Sequence, residues 1–437
     1  MRFSPAAWGR DNSTVLVLLL LCAVLSVLTL GRQYPTGAAG GRQLAARIQQ
    51  QIPSGGAVLI VVRNTREDAE FAAAAERRLA AAGYRVIETV RGQPSDARRA
   101  LARAAEAKAS IDVVACNDAT ARWEVFEKLA NEGGPPVVVP PSYYWPNFLK
   151  LGNLLNIPNQ IALVAIMAIG MTMVIIAGGI DLSVGSLVAL SAVVAARLIR
   201  DYRGGADAGF VDVAACMLAA VALCGAIGAV NGLLTAVARI PPFIVTLAMM
   251  SIASGLAFTI TDETISAIPP GAEQLMRGSL LGVPHAVILM LILFVVADVI
   301  MKRTTFGRHL YAVGGNRRAA WLCGVPVRRV VLLSYVVSGA LAGVAGVLMV
   351  SQFASGKATF GATYELQVIA AVVVGGASLS GGQGKMFGTL LGALLIGVVG
   401  NGMNLMGIEG DPQKIVLGLV ILAAALLDRL KQRRVEE

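Results

Sequence analysis

The chain has 437 residues, of which 56% are hydrophobic and only 15% charged, and its formal net charge is +10. Ordinary soluble domains carry about 25% charged residues, so this composition excludes a disordered chain, a fibrous repeat and a nucleic-acid-binding domain. The charge is concentrated, because residues 32–146 hold 15 of the 37 Lys and Arg and 12 of the 27 Asp and Glu. We therefore expect an all-α polytopic membrane protein with an inserted extracytoplasmic α/β domain.

The first apolar segment, residues 14–31, follows two arginines, Arg2 and Arg10, as the apolar part of a secretory signal does. Its apolar run is long for a signal, and no cleavage motif follows at once. We expect residues 1–31 to form a cytoplasmic N-terminus and an uncleaved first transmembrane helix.

The charged block at 32–146 alternates predicted strands with predicted helices. The strands are expected at 57–62, 84–90, 111–115 and 136–139, and the helices at 66–82, 95–109 and 118–132. The strands start 25 to 27 residues apart, which is the length of a strand, a crossover helix and two short loops. This spacing predicts a right-handed, parallel, four-stranded sheet. Residues 32–56, rich in Gly, Ala and Gln, are predicted to be a tether.

Nine further apolar runs approach the length of about 20 residues that a bilayer-spanning helix needs, which gives about ten spans. They lie at 157–177, 183–199, 211–237, 240–260, 282–301, 330–351, 366–378, 387–405 and 414–428. We expect a transmembrane domain at 147–430 and a cytoplasmic tail at 431–437. The span at 366–378 is short and is interrupted by glycine.

Cytoplasmic loops of membrane proteins carry an excess of Lys and Arg, so the basic loops predict the orientation of this chain in the membrane. If the chain has ten spans, one loop on the cytoplasmic side contains seven basic side chains: Lys302, Arg303, Arg308, Arg317, Arg318, Arg328 and Arg329. The C-terminal tail is also basic and lies on the same side. Residues 32–146 are then outside, and the protein is expected in a bacterial inner membrane, embedded in the lipid bilayer.

Sites for nucleotides, metals or covalent catalysis are not expected. Gly384-Lys385 comes closest to a P-loop, but Leu379 and Met386 stand where the first Gly and the Ser or Thr are needed. The five cysteines have no metal-ligand spacing, and there are only two histidines. We expect no cofactor, no metal, no catalytic residue and no ATP binding by this chain.

Two glycine-rich stretches share the pattern G-G-x-[DS]-L-S-x-G and each follows an apolar run, at 178–185 and 375–382. Broken helices at matching positions often mark a transport pathway, although Gly and Ser also serve close helix packing. Candidate pathway residues are the polar ones in and near these stretches: Asp181, Ser183, Asn231, Ser378, Ser380, Asn401 and Asn404. A helix N-cap is the alternative for Asp181, and amides that bridge helices are the alternative for the asparagines.

The basic loop at 302–329 is much longer than the 2–8 residues that a helix connection requires. It contains a helix-like piece at 316–324, with Trp321 and Leu322 as apolar anchors. The loop could merely obey the positive-inside rule, or it could dock a cytoplasmic partner.

From about Tyr144 to Asp428 the chain resembles the membrane permease subunits of ribose-type sugar ABC importers. The matching stretches follow in family order: Pro146–Phe148, Asn153–Ile157, Ala168–Ser186, Ile240–Leu247, Thr305–Asn316, Tyr364–Leu366 and Gly375–Gly382. The resemblance implies a homodimer or pseudo-dimer of permeases, a cytoplasmic ATP-binding subunit and an extracytoplasmic solute-binding protein.

By the same resemblance, residues 307–325 form the loop that docks in the ATPase. The residues carried over to this role are Gly307, Arg308, Gly314, Gly315, Asn316, Trp321, Leu322 and Gly324. Arg317 and Arg318 stand where the family loop usually has acidic residues.

The block at 32–146 resembles the first lobe of the periplasmic sugar-binding proteins that serve these importers. Asn64, Asn117 and Asp118 would lie at the carboxyl ends of strands, where open α/β sheets bind ligands. Only one lobe fits, whereas ligand sites commonly enclose 70–90% of a ligand. We expect the block not to bind sugar usefully alone, but to dock the binding protein or to be a remnant of one.

The leading interpretation is an importer permease for a small polar solute, most simply a monosaccharide such as ribose. An ion-coupled carrier is disfavoured because carboxylates within the apolar runs are almost absent. A membrane-anchored sensor is disfavoured because ten spans exceed what an anchor needs.

Overall fold

The computed structural model describes residues 13–107, 109–266 and 268–436. The chain divides into two units, of which one contains Leu30–Pro146 and the other contains the residues before Leu30 and after Pro146. The first described element, α1 (Ser13–Leu28), is an apolar helix that belongs to the unit containing the residues after Pro146.

The unit Leu30–Pro146 alternates strands and helices along its described residues. In chain order they are β1 (Leu30–Gln33), α2 (Gly37–Gln51), β2 (Ala57–Val62), α3 (Arg66–Ala81), β3 (Arg85–Arg91), α4 (Pro94–Glu106), β4 (Val113–Cys116), α5 (Asp118–Ala121), α6 (Glu124–Asn131), β5 (Val137–Val138) and β6 (Tyr143–Pro146). Glycines with positive φ follow two of the helices, Gly83 after α3 and Gly133 after α6, where the left-handed conformation ends a helix.

Four strands form a parallel sheet in the order β3-β2-β4-β5. Successive side chains of a strand face opposite sides, and β2 buries both of its faces. Val58 and Ile60 pack with α2 and α3, whereas Leu59 packs with α4 and α6. The unit is therefore a three-layer α/β sandwich, with helices on both faces of the sheet.

The prediction of a tether at 32–56 is wrong. Residues 37–51 form α2, whose Leu44, Ala45 and Ile48 are completely buried in the same core as β2. The segment before α2 is β1, which pairs antiparallel with β6. The composition concealed the helix because its buried face is built largely from Gly and Ala, residues that also occur in linkers.

The remaining unit continues after Pro146 with helices and one short hairpin. In chain order they are α7 (Leu151–Ile176), α8 (Val184–Tyr202), α9 (Phe210–Ala236), α10 (Pro242–Ile260), α11 (Gln274–Arg277), β7 (Ser279–Leu280), β8 (Val283–Pro284), α12 (His285–Arg303), α13 (Thr305–Gly315), α14 (Arg317–Leu322), α15 (Val327–Phe353), α16 (Tyr364–Val374), α17 (Met386–Leu405) and α18 (Asp411–Glu436).

Six helices in the described part of the chain are long and apolar enough to cross a membrane: α7, α9, α10, α12, α15 and α17. α1 and α16 are shorter apolar helices. The chain is thus a polytopic, mostly helical membrane protein, and the count of ten spans stays a prediction. α18 continues to Glu436, so the tail predicted at 431–437 is, through residue 436, the end of the last helix.

α7 is the central helix of this unit, since every residue from Ile161 to Ile176 is buried. Peripheral helices instead expose large apolar side chains, such as Phe243 and Ile252 of α10 and Val295 of α12. Apolar side chains exposed along whole helices are stable in lipid and unfavourable in water. The packing therefore agrees with a helix bundle that is surrounded by a bilayer.

Small residues bring α9 and α15 into close contact. A Cβ added at Gly228 would lie 2.2 Å from the carbonyl oxygen of Tyr335, and one added at Gly339 would lie 2.4 Å from that of Cys224. Helices in lipid associate through such close backbone approach rather than through the hydrophobic effect. This contact holds α9 and α15 in the geometry that the polar network described below requires.

Candidate functional site

Asp181 lies in the turn between α7 and α8 and is completely buried. Its Oδ1 accepts hydrogen bonds from the Ser183 N–H at 3.0 Å and from the Ser183 hydroxyl at 2.5 Å. Its Oδ2 accepts from the Ser338 hydroxyl of α15 at 2.8 Å, and Asn231 of α9 donates from Nδ2 to Ser183 Oγ at 3.0 Å. Three predicted pathway residues, Asp181, Ser183 and Asn231, thus meet in one buried network that joins α8, α9 and α15.

The network organises the entry into α8. Ser183 directly precedes the first helical residue, Val184, and so occupies the N-cap position itself, without a side-chain cap bond. Asp181 accepts from the N–H of Ser183 and not from one inside the helix. Its contact is therefore the local side-chain turn that Asp commonly forms two residues ahead, and not the N-cap bond considered from the sequence.

The backbone of the same turn is held by α10 and α15. The Thr246 hydroxyl donates to the carbonyl oxygen of Ile180 at 3.1 Å, and the Tyr335 hydroxyl lies 3.5 Å from the same oxygen. A Cβ added at Gly179 would lie 2.5 Å from the Tyr335 hydroxyl oxygen. Side chains of α10 and α15 therefore pack tightly against this turn, as is typical of a rigid structural element.

Both glycine-rich stretches end helices in the same way. At the end of α7, Gly178 has φ +81° and donates to the Ile175 carbonyl, while Gly179 donates to that of Val174. At the end of α16, Gly376 has φ +90° and occupies the corresponding position. These are Schellman caps, in which glycine takes the left-handed conformation.

Relative to the end of the preceding helix, the repeated sequence pattern is therefore displaced by one residue between the two stretches. The left-handed residue is the first glycine of the first stretch, Gly178, and the second glycine of the second stretch, Gly376. Asp181 follows its left-handed glycine by three residues, and Ser378 follows its own by two. The two residues align in the sequence pattern and are not equivalent in the structure.

The two stretches also contact each other. The N–H of Gly382 donates to the carbonyl oxygen of Ile176, the last residue of α7, at 2.9 Å. Within the second stretch the Ser378 N–H donates to the Gln383 carbonyl, and the Ser380 N–H donates to Ser378 Oγ. Ser378 and Ser380 thus belong to a folded turn beside the end of α7, apart from the Asp181 network.

The predicted docking loop consists of two helices in the described chain, α13 and α14. Thr304 caps α13 by accepting from Gly307, and Asn316 caps α14 by accepting from Ala319 at 2.9 Å. Gly324 closes the loop with φ +80°. The helix-like piece expected at 316–324 is thus α14 with its caps, whereas α13 was not predicted.

One face of this loop is packed and the other is exposed. Gly307, Leu310 and Val313 of α13 are buried, whereas Trp321 and Leu322 of α14 are 67% and 70% exposed. Five arginines of the loop and its flanks are also exposed: Arg308, Arg317, Arg318, Arg328 and Arg329. The combination of two exposed apolar anchors with surrounding cations is typical of a protein-binding surface.

The asparagines of α17 lie away from the Asp181 network. Asn401 is buried and exchanges two hydrogen bonds with Asn153 of α7, at 2.8 and 2.9 Å. Asn404 is exposed and accepts from Gln413 Nε2 at 2.5 Å. Asn401 therefore bridges two helices, and Asn404 joins the ends of α17 and α18.

The three residues predicted at the sheet edge of the unit Leu30–Pro146 have local structural roles or are exposed. Asn117 caps α5 by accepting from the Thr120 N–H at 2.9 Å, and Asp118 forms an ion pair with Arg122 at 2.8 Å. Asn64 is exposed. Asn117 and Asp118 thus already have partners within the unit.

Several residues of these networks had no sequence signal. Ser338 binds Asp181 from 157 positions away, Asn153 pairs with Asn401 from 248 positions away, and Tyr311 binds Gly384, just after the second glycine-rich stretch. Asn153 and Tyr311 lay inside stretches that resemble the permease family, whereas Ser338 did not. A single Ser or Tyr in an apolar helix carries no pattern that reveals its partner.

The chain matches the family model described as the permease component of the branched-chain amino acid transport system, over residues 153–425. It is 42% identical to the ribose import permease protein of Bacillus subtilis over 289 residues, which cover 65% of this chain and 87% of that protein. It is 42% identical to the ribose import permease protein of Escherichia coli strain K12 over 294 residues, 66% of this chain and 88% of that protein.

The D-allose transport system permease protein of the same strain is 34% identical over 284 residues, which cover 65% of this chain and 85% of that protein. No solved structure matches the chain significantly. All three relatives match about two thirds of this chain.

Proposed function

The chain belongs to this family of transport-system permease components, and on that premise we propose that it is the permease subunit of an ABC importer for a monosaccharide such as ribose. The observation that carries the proposal is the 42% identity to ribose import permeases over 87–88% of their length. ATP would be hydrolysed on a separate subunit. The protein is a multi-pass component of the cytoplasmic membrane.

The ATP-binding subunit is proposed to dock on the exposed face of α13 and α14. Trp321 and Leu322 offer the apolar anchors, and Arg317 and Arg318 lie beside them with exposed side chains. Large aromatic residues at the centre of an interface commonly contribute most of its binding energy. The family loop usually has acidic residues after Asn316, where this chain has Arg317 and Arg318. The surface of this ATPase partner that contacts these arginines should therefore be more acidic than the same surface in other ATPases of the family.

The residues of the Asp181 network are proposed to support the path of the solute rather than to line it, and Ser378 and Ser380 stay candidates for the lining. The Asp181 carboxylate already accepts three hydrogen bonds and is completely buried. A group whose hydrogen bonds are satisfied inside the protein gains little from a solute. Asp181, Ser183 and Asn231 therefore support the pathway by holding α8, α9 and α15 together.

An extracytoplasmic solute-binding protein is the proposed partner on the other side, and a second copy of the chain or a related permease would complete the pathway. The unit Leu30–Pro146 is proposed to lie outside the cell and to dock this binding protein without binding sugar itself. The contacts of Asn117 and Asp118 within the unit support the absence of sugar binding. The N- and C-termini would then be cytoplasmic.

The test is ATP-driven uptake in proteoliposomes that contain the chain with the ATPase and the binding protein of the same transport system. Ribose, allose and a panel of other pentoses and hexoses are compared. Removing a central aromatic anchor commonly costs 2 kcal/mol or more, so Trp321→Glu should lower uptake and ATPase co-purification by about tenfold or more. Trp321→Phe, which keeps an aromatic ring, is the matched control and should remain close to the parent.

Two results would contradict the proposed importer, and a third would contradict only the proposed docking site. Uptake driven by an ion gradient without the ATPase would identify a secondary carrier, and ligand binding without any transport would identify a sensor. Normal uptake by Trp321→Glu would leave the importer in place and remove α14 as its docking element.

A further inference from the structure

Gly314 of α13 lies at a point where no side chain fits. A Cβ added there would be 1.7 Å from the carbonyl oxygen of Ile176 and 2.5 Å from the backbone nitrogen of Gly382. Those two atoms are the acceptor and the donor of the 2.9 Å hydrogen bond that ties the end of α7 to the second glycine-rich stretch. Gly314 therefore packs directly on the bond that joins the end of α7 to the second stretch.

This bond has a structural reason to persist. The last carbonyl groups of a helix have no partner within the helix, and a buried carbonyl left without a partner is unfavourable. Ile176 is the last residue of α7, and the Gly382 N–H satisfies its carbonyl. The end of α7 and the second stretch are consequently held together by one backbone contact, which any side chain at position 314 would separate.

The same loop has other contacts with the second stretch. The Tyr311 hydroxyl, one turn before Gly314 in α13, donates to the carbonyl oxygen of Gly384 at 2.7 Å. A Cβ added at Gly382 would lie 2.9 Å from the backbone of Gly315. On the side of α7, a Cβ added at Gly381 would lie 3.1 Å from the Cα of Gly178. Backbone from all three segments thus meets within van der Waals distance.

The geometry points to Gly314 as the residue through which a displacement of the docking loop reaches both helix ends at once, an inference that rests on the proposed importer function. Packed backbone does not deform continuously, so a shift of α13 has to move the end of α7 and the 375–384 turn together. Gly314 is a positioning residue in this role. It binds neither sugar nor nucleotide.

The decisive comparison is Gly314→Ala with Gly255→Ala, a substitution in α10 and therefore outside the docking loop. Both substitutions place a methyl group on a helical glycine, and both favour the helix itself because Ala is the better helix former. A Cβ at Gly255 meets nothing within 4 Å, whereas a Cβ at Gly314 overlaps Ile176 and Gly382. The two variants therefore differ in the junction and not in helix propensity.

The measurement is the number of ATP molecules hydrolysed per sugar molecule imported, in proteoliposomes that contain the complete transporter. Gly314→Ala should raise this ratio by about fivefold or more, the lower end of typical coupling between sites, while the ATPase still co-purifies. Gly255→Ala should keep the ratio of the parent. A parent ratio in Gly314→Ala would overturn the inference, and loss of ATPase co-purification would show that Gly314 acts on docking instead.

A second variant covers a failure of Gly314→Ala to fold. Tyr311→Phe removes only the hydroxyl that contacts Gly384, and the loss of one hydrogen bond should raise the ATP-to-sugar ratio about two- to tenfold. An unchanged ratio in Tyr311→Phe, together with an unfolded Gly314→Ala, would also overturn the inference. Absence of ATP-driven uptake in the parent would instead contradict the proposed function, so the two failures are distinguishable.

Discussion

At the scale of single residues, Asp181 shows how a buried carboxylate can have a structural explanation. Burial of an ionisable group is unfavourable unless its polar atoms find partners. The Ser183 N–H, the Ser183 hydroxyl and the Ser338 hydroxyl supply three donors, and they come from two different segments. The same side chain therefore shapes the turn before α8 and ties that turn to α15.

This geometry predicts different results for two substitutions of Asp181. Asp181→Asn keeps one oxygen for the Ser183 donors and places an NH2 group beside Ser338, whose hydroxyl can rotate to accept from it. Asp181→Ala leaves buried donors unpaired, each at a cost of about 1–3 kcal/mol. We expect Asn to keep folded yield, melting temperature in detergent and uptake near those of the parent, and Ala to lower the first two.

Ser338→Ala serves as the control, because it removes one of the three donors to Asp181. Its folded yield and melting temperature should lie between those of the two Asp181 variants. If Asp181→Asn and Asp181→Ala were both well folded and equally inactive in uptake, the charge itself would be needed. Asp181 would then return to the list of residues that contact the solute or follow its movement.

At the scale of elements, α2 shows that residues 37–51 belong to a folded unit. Leu44, Ala45 and Ile48 pack with β2 and with Phe71 of α3. A fragment that starts at residue 55 would lack this helix and would expose one face of the sheet. Sugar-binding measurements on the unit therefore need the chain from Leu30 to Pro146 or the full protein.

Cys116 reports on the folding of the same unit. It lies in β4, packs against α4 and α6, and is completely buried. Burial raises the pKa of its thiol to about 12, so that the reactive thiolate is nearly absent at neutral pH. In a full-length variant that retains only Cys116, a maleimide should react only when the unit opens.

Leu44→Ala should then increase the rate of Cys116 labelling. Removing a buried Leu costs about 2–5 kcal/mol, which corresponds to roughly 25-fold or more in the population of open molecules. Gln43→Ala, at an exposed neighbouring position of α2, should leave the rate nearly unchanged. Equal labelling rates in both variants would show that α2 does not stabilise the sheet.

At the scale of the whole molecule, two residues report on the proposed orientation. Cys323 is exposed at the end of α14, and the side chain of Arg66 in α3 is 94% exposed. If the basic loop is cytoplasmic and the unit Leu30–Pro146 is outside, these positions lie on opposite sides of the membrane. Arg66→Cys in a variant without other cysteines is then the counterpart of a variant that retains only Cys323.

A membrane-impermeant maleimide should label Arg66→Cys in intact spheroplasts and Cys323 only in inside-out vesicles. Solubilised protein, in which both thiols should react, provides the control for reactivity. Labelling of both positions from the same side would contradict an odd number of spans between them and would require a different count of transmembrane helices.

The family of the chain and many of its elements were predictable because they depend on local composition and on short motifs. Apolar runs predicted a polytopic helical protein, and the order of the permease-like stretches predicted the family, which the comparisons confirm. The strand spacing in residues 57–139 agrees with β2–β5 because β-branched strands and glycine helix stops are local signals. The helix α2 was missed because Gly and Ala are ambiguous between a linker and a closely packed helix.

The candidate site was only partly predictable. Residue order alone indicates that Asp181 stands in a glycine-rich break and that residues 302–329 form a long basic loop with apolar anchors. The packing of the folded chain was needed to show that Ser338 and Asn231 complete the Asp181 network, that Asn401 pairs with Asn153, and that Gly314 lies on the bond between Ile176 and Gly382. Hydrogen bonds and steric contacts depend on distances of a few tenths of an ångström between segments far apart in the chain, and no local pattern of residue types encodes such distances.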